Sequence, residues 1–364
     1  MRASTYSPRA AMMTFRHLDR RFALTPSEIG RQLSRIDVAR GRQEAFRVQQ
    51  PAALRRLIEI ARIQSVESSN AIENVIAPRK RIEELVAEKT TPQNRSEAEI
   101  AGYRTVLDLT HASAAEIPFR PSIVEQFHRD LYQFTGARRA GRWKSADNEI
   151  AEERPDGTRV VRFVPVSALE TPQAMRELHE LFARARDTGT YHDLVLVGSY
   201  TLDFLCIHPF SDGNGRIGRL LTLLLLYQAG YEVGRFVSLE RLIEETKESY
   251  YDSLAASSQG WHEGTHDVWP WLSYFLGIVA AAYGEFESRV EVVSGGRGSK
   301  RQALREFVRS NVSDEFTVAD VRRAVPTASD VYIREQLRAL KQEGVLVQQG
   351  AGPNARWVRL GVDF

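Results

Sequence analysis

Residues 215–229 place Leu220, Leu221, Leu223, Leu224, Leu225 and Leu226 almost side by side. A helix built from them is apolar on nearly every side, so it must lie in the centre of a bundle. Gly230 is placed to end it. Helical spacing of apolar residues recurs over 51–73, 95–112, 121–134, 171–186, 192–207 and 264–287, with Pro51 suited to a first turn. The spacing therefore predicts a mainly α chain.

Two stretches break the helical habit. Residues 146–165 contain the turn chemistry Pro155-Asp156-Gly157 followed by the β-formers Val160, Val161, Phe163 and Val164, which predicts a β-hairpin. Residues 294–300 (SGGRGSK) have linker composition. Beyond them, helices are expected near 300–310, 317–324 and 328–343, then strands VLVQQ and RWVRL around Gly350-Ala351-Gly352-Pro353. Three helices and a two-stranded wing make a winged helix-turn-helix pattern.

The 364 residues suffice for two or three domains, and 43% apolar content allows a sizeable core. A formal net charge of +2 gives no electrostatic case for an acidic polymer as partner. The lone Cys206 cannot form an intramolecular disulfide or a thiolate zinc site, which favours a reducing, cytoplasmic setting. The opening MRASTYSPRAAMMTFRH has no secretory core and reads as a floppy tail rather than a transit peptide. No run reaches the ~18–20 apolar residues that span a bilayer, so no membrane partner is expected.

The chemistry concentrates in His208-Pro209-Phe210-Ser211-Asp212-Gly213-Asn214-Gly215-Arg216-Ile217-Gly218-Arg219, between two apolar helices. A helix start offers free N–H groups and partial positive charge to an anion. Gly213 and Gly215 let the backbone approach it closely, and Asn214 can add an amide. Arg216 and Arg219 stand one turn apart and can both reach a polyphosphate. Asp212 is a hard ligand of the kind Mg²⁺ uses beside phosphates. His208 titrates near neutral pH and can accept a proton from a hydroxyl. Base, metal ligand, anion nest and arginine clamp together suit phosphoryl-type transfer. Zinc is disfavoured, because no second His or Cys has suitable spacing.

This segment resembles the Fic-domain motif His-Pro-Phe-x-(Asp/Glu)-Gly-Asn-Gly-Arg-x-x-Arg at every specified position. The resemblance covers about residues 50–285 and implies a Fic-type helical bundle with a β-hairpin flap, to which the C-terminal winged helix-turn-helix domain is added. It implies transfer of AMP from ATP, with Mg²⁺, to a hydroxyl side chain. In those terms His208 is the base, Asp212 the metal ligand, Gly213, Asn214 and Gly215 the α- and β-phosphate cradle, and Arg216 and Arg219 the β- and γ-phosphate contacts. Phe210 packs inward and holds the loop. The 146–165 hairpin resembles the family's flap, beside which a target protein segment adds as a strand. Tyr250-Tyr251 resembles the nucleotide-side helix. Many members carry Asn four residues before the first Tyr, where this chain has Thr246, a departure that bears on the ribose or base contacts.

Ser69-Asn70-Ala71-Ile72-Glu73-Asn74 matches the inhibitory motif (Ser/Thr)-x-x-x-Glu-(Gly/Asn) of one Fic class. Ser69 and Glu73 share a helix face. A Glu73–Arg219 pair would occupy the arginine needed by the γ-phosphate, and Asn74 completes the motif. The expected organisation is an N-terminal arm 1–49, an inhibitory-helix region 50–93, a catalytic core 94–290, a linker 291–299 and the C-terminal domain 300–364.

Alternatives remain. Gly213 and Gly215 favour AMP transfer over the phosphotransferase branch of Fic-like enzymes. Removal of AMP by the same site stays open through Glu73. A DNA-binding regulator is weaker, since residues 300–364 hold 11 Lys or Arg against 8 Asp or Glu. Protein interaction or homodimerisation suits that domain better.

Overall fold

The computed structural model describes residues 13–49, 51–153, 157–293, 299–310, 315–326, 328–350 and 355–360. Two compact units divide the chain. One comprises the residues up to Arg42 with Leu54–Tyr283, the other Gln43–Ala53 with Gly284–Phe364.

The helices in chain order are α1 (Leu18–Arg21), α2 (Ser27–Gln49), α3 (Pro51–Ile72), α4 (Arg79–Val86), α5 (Arg95–Ser113) and α6 (Pro121–Leu131). After the hairpin strands β1 (Ile150–Glu153) and β2 (Arg159–Phe163) come α7 (Thr171–Asp187), α8 (Asp193–Ile207), α9 (Asn214–Gln228), α10 (Leu239–Glu245), α11 (Lys247–Ser258) and α12 (Trp269–Val293). The chain is mainly helical, as the apolar spacing predicts. Helices α1, α2, α4 and α10 are not among the predicted ones, α1 being a single turn of four residues. α2 and α4 average well on the polar side, and the seven residues of α10 are too few to show a period.

The first unit is organised around α9. All of its named leucines are buried, and it packs against α8 and α5. Gly230 ends it with φ +80, in the left-handed conformation that a helix-terminating residue adopts. Asn94 caps α5 by accepting from the Glu97 N–H at 2.9 Å. β1 and β2 pair antiparallel, with Glu152 opposite Val160 and an irregularity between Ile150 and Ala151. Pro155 and Asp156 of the expected turn lie outside the described residues.

The floppy tail expected at the N-terminus is overturned for residues 13–17. Met13 and Phe15 are buried, and Thr14–His17 forms a 3₁₀ turn. Its anchor is Asp203 on α8. That carboxylate accepts from the Thr14 N–H at 2.8 Å, Thr14 Oγ1 at 2.6 Å and Trp261 Nε1 at 2.7 Å. A five-residue contact has no period to read, and its partner lies 189 positions away.

In the second unit, α13 (Ser299–Ser310), α14 (Val318–Ala324) and α15 (Asp330–Gln342) accompany a three-stranded antiparallel sheet. The strands β3 (Glu315–Thr317), β4 (Leu346–Gln349) and β5 (Arg356–Arg359) take the order β3-β5-β4. Its core includes Leu304, Phe316, Val321, Ile333, Leu337 and Trp357. β3 is additional to the expected two strands, and at three residues it is too short to show alternation. Thr317 and Asp320 close a capping box at the start of α14. Residues 294–298 of the expected linker and 351–354 of the expected turn lie outside the described residues.

Asp203→Ala leaves three buried donors without their acceptor. At ~1–3 kcal/mol per orphaned donor, partly relieved by water, a loss of roughly 3 kcal/mol is expected. Calorimetry should show a lower Tm, and an unchanged Tm would dismiss Asp203 as the anchor of the N-terminal segment.

Candidate active site

Helices α8 and α9 are both buried, and the chain must turn from one to the other inside the protein. It does so at His208, which takes a left-handed conformation (φ 51, ψ 60) and donates its N–H to the Phe204 carbonyl at 2.9 Å. For a residue with a Cβ this costs roughly 1–2 kcal/mol, so the surroundings must enforce it. Asn214 contributes directly. Its Oδ1 accepts from the Phe210 N–H at 2.9 Å and its Nδ2 donates to the Phe210 carbonyl at 2.8 Å. The amide that the sequence offers to an anion is thus engaged in closing the loop. Phe210 is fully buried, as expected, and stacks on His128 with ring centroids 3.8 Å apart. Trp143 covers it as well. His128 Nδ1 accepts from the Gly141 N–H at 2.8 Å, so its Nε2 carries the proton and donates to the Asp212 carbonyl at 3.2 Å. Lys144 Nζ and Asn148 Nδ2 donate to the carbonyls of Ile207 and Phe210. His128, Trp143, Lys144 and Asn148 support the loop from other parts of the chain, and no local pattern marks them.

His208 is half-buried. Its Nδ1 lies 3.3 Å from the Leu205 carbonyl, which fixes that nitrogen as the donor and leaves Nε2 with a free lone pair. Burial lowers its pKa to about 4. The expectation of a near-neutral titration is therefore corrected. The imidazole is neutral at pH 7, the form a proton acceptor needs.

The start of α9 has the geometry of an anion cradle. Gly213 takes φ +79, and a Cβ there would meet the Tyr132 hydroxyl at 2.9 Å. The first-turn N–H groups after it have no intrahelical acceptor. Asp212 is exposed beside them, its Oδ1 accepting from the Gly213 N–H at 2.7 Å. No cluster of three His, Cys, Asp or Glu able to hold a metal ion occurs among the described residues. A lone exposed carboxylate fits a cation that takes most of its ligands from substrate phosphates and water.

The two arginines differ sharply. Arg216 is 1% exposed and pairs with Glu99 through Nη1 at 2.7 Å. It also donates to Asn70 Oδ1 at 3.2 Å and to the Tyr132 hydroxyl at 2.9 Å. Its Nε is buried with no hydrogen-bond partner. Arg219 is held by the end of α3. Its Nε donates to Ser69 Oγ at 2.9 Å, and its Nη2 to the Ser69 carbonyl at 2.8 Å and to Glu73 Oε1 at 2.9 Å. Its Nη1 is buried with no hydrogen-bond partner, an orphaned cationic donor that suits an incoming anion. Glu73 reaches this position because residue 215 is glycine: a Cβ there would lie 2.1 Å from Glu73 Oε1. Asn74 follows α3 with φ 59 and donates its N–H to the Ala71 carbonyl at 2.9 Å, so its place in the motif is to end the helix.

Tyr250 is buried, stacked edge-on against Trp271, and shares with Arg219 the wall of an apolar cavity that Leu239, Phe275 and Val279 also line. Thr246, in the place of the family's Asn, donates to the Leu242 carbonyl at 2.7 Å and bonds the Tyr274 hydroxyl at 2.8 Å. Both of its partners are internal.

Residues 118–226, from the lead-in to α6 through most of α9, match the family model described as Fic/DOC family. By that match this segment is similar to a Fic domain. Among curated proteins, the chain is 22% identical over 228 residues to Protein adenylyltransferase Fic of Nematostella vectensis, which covers 61% of this chain and 48% of that protein. It is 32% identical over 81 residues to Protein adenylyltransferase Fic of Aedes aegypti, covering 22% and 15% respectively. The chain thus spans about half or less of the length of these relatives. The fold resembles that of a Fic family protein from Desulfovibrio desulfuricans, with TM-score 0.58 and 21% identity over 94% of this chain and 98% of that one. It also resembles Fic-1 (aa134–508) of C. elegans, with TM-score 0.59 and 21% identity over 74% of each.

His208 in the free protein should titrate with a midpoint near 4 in an NMR series of histidine-labelled protein, assigned with His208→Gln. The sign follows from burial: the charged form is disfavoured, so the proton is taken up only well below the ordinary value. A midpoint at 6 or above would contradict the buried neutral base.

Proposed function

We propose that the chain transfers AMP from ATP to a Ser, Thr or Tyr hydroxyl of target proteins and of itself, and that Glu73 restrains it. The observation that supports this best is the pairing of a neutral His208, its Nε2 free, with a glycine-lined helix start and the orphaned Arg219 Nη1. In this reading His208 takes the proton of the attacking hydroxyl. The hydroxyl oxygen bonds the α-phosphorus and pyrophosphate leaves. Gly213 and Gly215 admit the phosphates to the first-turn N–H groups, while Asn214 keeps the loop closed around them. Mg²⁺, held by Asp212, would neutralise phosphate charge.

Arg219 would meet the γ-phosphate once freed. Arg216 would keep the loop and α9 in register through Glu99, with a phosphate contact secondary to that pair. Tyr250 would wall the nucleotide side. Misplacement of the reacting atoms by about 1 Å costs roughly 10²-fold in rate, so Glu73 on Arg219 suffices as a brake even if ATP still binds. A second reading, AMP removal, draws support from Glu73 itself. Its side chain is 30% exposed and acts electrostatically on His208, a position from which a carboxylate can orient water.

The β1–β2 hairpin would be the flap that receives the target segment. Residues 300–364 would be a winged-helix-like domain serving protein contact or dimerisation. Several of its basic side chains already pair with acids: Arg322 with Asp330, Arg305 with Glu343 and Arg356 with Glu315. That leaves little charge for a DNA backbone.

His208→Ala should abolish transfer, by ~10²–10⁴-fold for loss of a general base, with ATP affinity nearly intact. Near-normal modification by that variant, followed by mass spectrometry, would sink the mechanism. Glu73→Gly should raise transfer by about an order of magnitude or more, and Arg219→Ala in that background should erase the gain. An unchanged rate in Glu73→Gly would remove the brake and leave the enzyme reading standing.

A further inference from the structure

The stretch that leads into the hairpin carries a buried cation that the reaction scheme does not use. Lys144 is 4% exposed, and burial lowers its ammonium to about 8. Nζ donates to the Ile207 carbonyl at 3.1 Å and to Asn148 Oδ1 at 2.8 Å. The Lys144 backbone N–H donates to the Pro209 carbonyl at 2.8 Å, and Asn148 Nδ2 to the Phe210 carbonyl at 3.1 Å. Carbonyls on both sides of His208 are therefore held from one short segment.

An ammonium is a costly way to fill that space. A methionine has similar length and carries no charge to desolvate. Asp147 attracts Lys144, yet its carboxylate is turned to the Ala168 N–H, which it accepts at 2.7 Å. What the charge does have is a position beside the imidazole. Lys144 disfavours protonation of His208, opposed by Glu73 and Asp212, while the Leu205 carbonyl fixes the tautomer.

We propose that Lys144 is a positioning residue for His208, its ammonium fixing the Ile207 carbonyl and with it the left-handed turn that aims the imidazole. The inference rests on His208 being the base of the proposed transfer. Lys144 acts through it in two ways. The hydrogen bonds hold the backbone on either side of a strained residue, and the charge adds to burial in disfavouring protonation of the imidazole.

The test uses the full chain in the Glu73→Gly background. Lys144→Met keeps the side chain's length and removes the ammonium. kcat should fall roughly ten- to hundredfold, the cost of a slightly misplaced reacting group. ATP affinity by calorimetry should stay within about twofold, because this lysine is not assigned to the phosphates. The acidic limb of the kcat/KM profile should move to higher pH, since His208 loses a neighbouring positive charge. A purely structural lysine would not move that limb. Asn148→Ala removes one acceptor of the ammonium and the donor to Phe210. It should give a smaller fall in kcat at unchanged affinity, and it carries the test if Lys144→Met does not fold. An unchanged kcat in either folded variant overturns the proposal, as does a loss of ATP affinity in step with kcat. If His208→Ala also has no effect, the transfer mechanism itself fails. A His208-dependent rate that ignores Lys144→Met removes only the role given to the lysine.

Discussion

Joining two buried helices end to end creates one demanding constraint: much of the connecting backbone lies where water cannot satisfy it. Between Ile207 and Asn214 the chain meets this constraint with donors brought from elsewhere. Lys144 and Asn148 serve the carbonyls of 207, 209 and 210, His128 serves Asp212, and Asn214 closes on Phe210. The result is a loop without slack, which is what a group that must meet a substrate atom within a fraction of an ångström requires. The same burial that forces the loop into this net also strips His208 of its proton at neutral pH.

The second organising element is a pair of guanidinium groups one turn apart on α9. Each faces a carboxylate from a different helix. Glu99 on α5 is 5% exposed at the side chain, whereas Glu73 just beyond α3 is 30% exposed. Removing one partner of a deeply buried pair strands a charge and is strongly destabilising. A pair open to water on one side can part at far smaller cost. The motif thus holds two buried arginines of identical type in different conditions, one facing a buried carboxylate and one a partly exposed one.

Much of this was legible in the sequence, and the reason is locality. The leucines of α9, the glycines at 213 and 215, and the Ser69–Asn74 stretch each carry their meaning within a turn or two of helix. Their fold-level consequence, a central helix with a polar junction at its start, follows from spacing alone. The parts that escaped are set by partners distant in sequence. Glu99 reads as an ordinary helix-surface acid until Arg216 lies against it. Thr14 gives no hint of Asp203. His208 carries the right chemistry in the motif, but its pKa depends on how deeply it is packed, and no spacing encodes burial depth. The Asn214 amide is bonded to the Phe210 N–H and carbonyl, a partner four residues away that the motif's chemistry does not announce.

Glycine at 215 ties two requirements to one position. Its missing Cβ leaves room for the Glu73 carboxylate, and in the proposed scheme it also keeps the floor of the cradle open. Any larger residue would push Glu73 away and obstruct the helix start in the same stroke. In the proposed scheme, freeing Arg219 through this glycine would lose the cradle along with the restraint. Ser69 is fully buried and holds Arg219 through its hydroxyl and its carbonyl, so in that scheme the partly exposed Glu73 is the partner that can change while α9 keeps its place.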